Sequence, residues 1–141
     1  MSFNEAFDTL LSQDKFIARS DYKHLVEQYS DLSESYTTLA QSNILNEYVA
    51  KHHLDIEAIN RFQTRFDEIA DLATESAIIR KHNDAYISRH IESEKSYLDN
   101  ILKACDPAIS LDREQREVVL SEEDHTLVIA GAGAGKTTTV A

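Results

Sequence analysis

Lys136 and Thr137 close the one run of this sequence whose residue types and spacing could do chemistry: Thr126-Leu-Val-Ile-Ala130-Gly-Ala-Gly-Ala-Gly135-Lys-Thr-Thr-Thr139. The chain has three glycines, and all of them, Gly131, Gly133 and Gly135, fall here. That concentration calls for an unusual backbone, one that turns successive N–H groups toward a single anion. The Lys136 ammonium is a mobile cation suited to β- and γ-phosphates, and the Thr137 hydroxyl is a ligand for Mg²⁺. The general phosphate-loop pattern is G-x-x-x-x-G-K-[ST], and Ala130 stands where its first glycine would be. The candidate cradle is therefore Ala130, Gly131, Ala132, Gly133, Ala134, Gly135, Lys136, Thr137 and Thr138. The plainer reading is an apolar strand followed by a glycine-rich turn that holds nothing.

A loop of this kind needs a strand to enter it and a helix to leave it. Leu127, Val128 and Ile129 read as a short buried strand, apolar and partly β-branched. Thr137 to Val140 should begin a helix whose N-terminus faces the phosphates. Upstream, Leu111-Asp-Arg-Glu-Gln115-Arg-Glu-Val-Val119 offers a second candidate, Gln115, whose amide has both a donor and an acceptor. Asp112 with Gln115 three residues later also fits a capping box at a helix start, and the two roles are compatible.

In that order and spacing the two stretches resemble the Q motif and motif I of superfamily 1 DNA helicases of the UvrD/Rep type. His82-Asn-Asp-Ala-Tyr-Ile-Ser-Arg-His-Ile-Glu-Ser-Glu-Lys-Ser-Tyr-Leu-Asp-Asn100 is similar to the helix before the Q motif in helicase IV-like members. The resemblance covers residues 82–141 and does not reach residues 1–81. It implies an ATP-dependent DNA helicase that translocates along single-stranded DNA and unwinds duplex. It also implies ATP and Mg²⁺ as cofactors. Gln115 would read adenine, Gly131 to Gly135 and Lys136 would hold the phosphates, and Thr137 would hold Mg²⁺. Thr138 stands where several UvrD-type enzymes carry arginine. The chain stops four residues after Thr137, short of the remaining helicase motifs. The expectation is thus an N-terminal fragment that is inactive alone, while the full-length protein is the enzyme. The alternative is a non-enzymatic helical interaction or regulatory module with a vestigial phosphate loop.

One proline, three glycines and 28% charged residues in 141 point to long helices. A net charge of −11 argues against a non-specific grip on nucleic acid by this stretch alone. The single Cys105 excludes an intrachain disulfide and fits a reducing cytoplasm. No apolar run approaches the roughly 20 residues that span a bilayer. A soluble cytoplasmic chain is expected.

Phe3, Phe7, Leu10 and Leu11 give a short amphipathic helix. Tyr22, Leu25, Tyr29, Leu32, Tyr36 and Leu39 then follow heptad spacing and predict a seam against another helix. Ile59, Phe62, Phe66, Ile69 and Ala73 repeat that spacing, with a turn somewhere in 41–55 and Asp55 as a cap. The strongest candidate break farther on is Lys81-His-Asn-Asp84. The sequence predicts a mainly α protein. An antiparallel, coiled-coil-like helical hairpin over 1–104 precedes a linker at 105–110 and the truncated start of a RecA-like α/β domain at 111–141. The hairpin would contact missing helicase domains or a protein partner. Six histidines suggest metal, but their spacing gives no ligand set.

Overall fold

The computed structural model describes residues 1–105, 108 and 110–124. Six helices account for 76% of the described residues, and no strand occurs among them. Residues 1–105 contain neither glycine nor proline, so nothing in their backbone chemistry interrupts helix cheaply. Helix ends are set instead by polar side chains and left-handed residues. No helix among the described residues is long and apolar enough to cross a membrane.

The described chain divides into two compact units. The first comprises Met1–Gln13 with Arg19–Arg80, and the second Asp14–Ala18 with the described residues from Lys81 onward.

In the first unit, α1 (Phe3–Leu11) opens on a capping box. Ser2 N–H donates to Glu5 Oε2 at 2.7 Å, and Glu5 N–H donates to Ser2 Oγ at 3.4 Å. Helix α2 (Arg19–Gln41) and α4 (Ile56–Ala70) run antiparallel. The Arg19 guanidinium meets the Leu72 carbonyl at 3.0 Å, and Gln63 Nε2 donates to Ser33 Oγ at 2.7 Å. Between them α3 (Leu45–His52) carries the chain around. Both of its flanking turns use a left-handed residue other than glycine, Asn43 at φ 56° and His53 at φ 53°. Each closes the same way. Ile44 N–H bonds the Leu39 carbonyl at 3.1 Å, and Leu54 N–H bonds the Val49 carbonyl at 3.0 Å, which caps the preceding helix.

Aromatic rings knit α1 to the helix pair. The Phe3 ring lies 5.1 Å from Phe62, 5.5 Å from Tyr29 and 5.9 Å from Phe66, centroid to centroid. Edge-on packing of this kind adds about 0.5–1.5 kcal/mol per pair beyond area burial. Arg65 sits over Phe7, 4.9 Å from its centroid, and pairs with Asp8. That guanidinium hydrogen bond holds the Asp8 carboxyl below its ordinary pKa.

Three expectations are corrected. The heptad seam of α2 is fully buried only at Tyr22 and Leu25, while Leu32 is 40% exposed. The seam opens because α4 begins only at Ile56 and the partner face ends with it. The second long helix stops at Ala70, so Ala73 lies in a turn and not on the seam. Asp71 builds that turn by accepting from Ala73 N–H at 2.9 Å and from the Thr74 hydroxyl at 2.6 Å. Those bonds hold its carboxyl below its ordinary pKa. Lys81 to Asp84 do not break the helix, because α5 runs unbroken from Ala77 to Cys105. Its start is fixed upstream. Glu68 Oε1 accepts from Ala77 N–H at 2.9 Å, and Ser76 Oγ accepts from Ile79 N–H at 3.3 Å. Residues 77–80 of α5 belong to the first unit and the remainder to the second.

Candidate functional site

The second unit is built on α5, on the segment Asp14–Ala18, and on α6 (Arg113–Leu120). Phe16, Ile17 and Ala18 are all buried, Ile17 completely. A stretch buried in this way outside any helix must satisfy its backbone by other means. Asn83, also buried, does it: Ile17 N–H donates to Asn83 Oδ1 at 2.8 Å, and Asn83 Nδ2 donates to the Ile17 carbonyl at 3.0 Å. From the preceding position, His82 Nε2 lies 2.9 Å from the Lys15 carbonyl. Farther along, Arg89 Nη2 donates to Asp14 Oδ1 at 3.0 Å, and His90 Nε2 lies 3.1 Å from Asp14 Oδ2. These contacts, His90 foremost and then Arg89, hold the Asp14 carboxyl below its ordinary pKa. His82 and His90 are therefore clip residues, and no group of three or more candidate metal ligands exists among the described residues.

Helix α6 carries the described part of the candidate site. Asp112 is its N-cap, and the capping box anticipated in the sequence is formed. Gln115 N–H donates to Asp112 Oδ1 at 2.8 Å, and Asp112 N–H donates to Gln115 Oε1 at 3.0 Å. The carboxamide of Gln115 is thereby held at the helix entrance. Arg116 and Leu120, four residues apart, are the buried positions of α6, and Leu111, just before the N-cap, is buried too.

Arg116 was given no role by sequence reasoning, and it is the most buried charged side chain among the described residues of this unit, 6% exposed. Its Nη1 donates to the Leu111 carbonyl at 2.8 Å, and its Nη2 lies 3.9 Å from Glu92 on α5. Its Nε is buried with no hydrogen-bond partner among the described residues. A signal was present in the sequence. With Asp112 as the cap, Leu111 and Arg116 take the positions before the cap and fourth in the helix that commonly meet, and Leu120 follows Arg116 by four. After Leu120 the chain leaves the helix, with Ser121 extended. Burial, followed by the charges of Glu122, Asp14 and Glu94, pushes the Tyr86 phenol above its ordinary pKa.

The remaining candidate residues, Ala130, Gly131, Ala132, Gly133, Ala134, Gly135, Lys136, Thr137 and Thr138, lie outside the described residues. So do the expected strand at 127–129 and the helix start after Thr137.

Neither a curated protein nor a solved structure matches the chain. A family model does, over less than half of its length, and the stretch before Leu111 lies outside the match. Residues 111–141, which comprise α6 and everything after it, match the model described as UvrD/REP helicase N-terminal domain, which supports kinship with UvrD-type helicases.

Proposed function

We infer that this chain is the N-terminal part of an ATP-dependent DNA helicase of the UvrD/Rep type, akin to helicase IV-like members. Its helical N-terminal part leads into a RecA-like ATPase domain that begins near Leu111. The observation that carries this reading is the coincidence of the family match at 111–141 with a nearly complete phosphate-loop pattern inside it.

The residues present fit ATP and Mg²⁺ by their chemistry. Bound ATP supplies the phosphoanhydride whose cleavage drives movement along single-stranded DNA. Backbone amides at Gly131, Gly133 and Gly135, with the Lys136 ammonium, would neutralise the phosphates. The Thr137 hydroxyl would hold Mg²⁺. Gln115 would read adenine. Its Oε1 already accepts from Asp112 N–H, but an amide oxygen has two lone pairs, so the cap and an adenine contact are compatible. The acidic described surface gives nucleic acid no basic stripe, so the DNA contacts of this reading belong to the rest of the enzyme.

The test is ATP hydrolysis and duplex unwinding by the full-length gene product with single-stranded DNA present. Lys136→Ala should abolish both while leaving circular dichroism unchanged, because the cation serves phosphate and not packing. Turnover near that of the parent in this variant would end the helicase reading.

A further inference from the structure

The outer half of the α2–α4 pair in the first unit carries an apolar surface left open to solvent. Tyr29, Leu32 and Tyr36 of α2 face Leu54, Ile59 and Phe62 across a groove of about 470 Å³. Leu32 and Leu54 remain 40% and 38% exposed there. Leu39 follows Leu32 by seven residues and so lies on the same side of α2. It borders a second open depression, about 540 Å³, together with Tyr48, Asp31 and Glu34. Tyr48 is itself 37% exposed. Two adjoining depressions with large apolar side chains on their rims exceed what scattered surface leucines explain.

No lysine or arginine lines either depression. From Leu25 to Ala50 the sequence holds no lysine or arginine but does hold Glu27, Asp31, Glu34 and Glu47, all exposed. Asp55 stands on the lip of the first groove. Asp31, Glu34 and Glu47 have no ion-pair partner among the described residues, whereas Glu27 pairs with Lys23 at 3.7 Å.

That charge selects the occupant. A second copy of the chain would bring the same carboxylates, on a molecule of net charge −11. Nucleic acid would bring phosphates. An amphipathic helix with an apolar stripe and flanking lysine or arginine meets both the groove and its rim. We propose that the α2–α3–α4 surface docks a basic amphipathic helix of a partner protein. The apolar stripe of that helix lies in the groove, and its cationic heads rest on Asp31, Glu34 and Asp55. This goes beyond the helicase reading and does not depend on it.

The test is titration of the chain with a model helix of leucine and lysine, alongside a leucine–glutamate twin, followed by fluorescence anisotropy and NMR. The lysine peptide should saturate, with shift changes concentrated at Leu32, Leu39, Tyr48 and Leu54, and the glutamate twin should not bind. Asp31→Lys with Glu34→Lys should weaken binding about tenfold or more, in a salt-dependent way. Asp84→Lys with Glu94→Lys makes the same change of net charge on α5 and should cost less than about twofold. Leu32→Ser with Leu54→Ser should also lose affinity at unchanged helix content, since both side chains are half in solvent. Equal losses from the two charge-reversed pairs would reduce the effect to general attraction by an acidic chain. Shifts centred elsewhere, binding of the glutamate twin, or no saturation by the lysine peptide would each overturn the proposal.

Discussion

The side-chain amide of Asn83 pairs with both backbone groups of Ile17, taking its N–H at 2.8 Å and giving to its carbonyl at 3.0 Å. A carboxamide has the same donor and acceptor as a peptide unit, so Asn83 completes a pairing that a neighbouring strand would otherwise supply. Asn83→Ala strands two buried groups at about 1–3 kcal/mol each, and it should destabilise the chain by about 2–4 kcal/mol. Urea melts compared with the parent check this. A loss under about 0.5 kcal/mol would mean that water takes over both bonds.

Acid should loosen the same clip. The Asp14 carboxyl is held below its ordinary pKa in the folded state by His90 and Arg89. Its contribution is therefore present above the unfolded value, about 3.9, and is lost as pH falls through the lower folded value. The Asp14 carboxyl carbon, followed by NMR, should titrate with a midpoint below that of a model peptide. Signals of Ile17 and Asn83 should move with it. In Asp14→Asn those signals should show no such step.

His53 closes α3 in the left-handed region, where a β-carbon is costly, and no glycine relieves it. His53→Gly should stabilise the first unit by about 0.5–1 kcal/mol, provided the gain at φ 53° exceeds the extra freedom of glycine in the unfolded chain. Thermal melts measure the balance, and a fall in Tm would show that the His53 side chain contributes packing that outweighs its strain.

The cap formed by Gln115 and its proposed adenine contact can be tested separately. Glutamate also serves at the third helical position of a capping box, so Gln115→Glu should keep stability within a few tenths of a kcal/mol. It loses the amide donor, however, and in the full-length protein the ratio of KM values for GTP and ATP should fall. Gln115→Ala opens the box as well, at about 1 kcal/mol. Unchanged nucleotide preference in both variants would reduce Gln115 to a cap.

The sequence carried local information well and tertiary information poorly, for physical reasons. Capping is a short-range hydrogen-bond pattern, so Asp112 with Gln115, and Asp55 before α4, were legible. The apolar stripe Phe3, Phe7 and Leu10 was legible because helical period alone puts it on one face. The turn at Asp71 was missed because it depends on side-chain bonds to Ala73 and Thr74 and not on glycine or proline. Lys81-His-Asn-Asp84 looked like a break because its residues are polar. Two of them are polar to hold a distant segment, Asn83 to Ile17 and His82 to Lys15, and no local pattern announces a partner 66 or 67 positions away. Arg116 was passed over despite its position, since arginine is expected at the surface unless a carbonyl and a carboxylate receive it.

The clip also imposes an order of events during synthesis. Ile17 is made 66 residues before Asn83, which at about 5–20 residues per second is a wait of about 3–13 s. Throughout that interval Phe16 and Ile17, buried in the finished protein, have no α5 to receive them. The helices of the first unit can form as they emerge, because all of them except the first turn of α5 lie between Met1 and Ala70. The strap between α1 and α2 thus remains the nascent chain's exposed apolar segment until α5 is made. A trigger that slows elongation between Ala70 and Asn83 would lengthen that exposure, and a chaperone that takes short apolar peptides would find its target there.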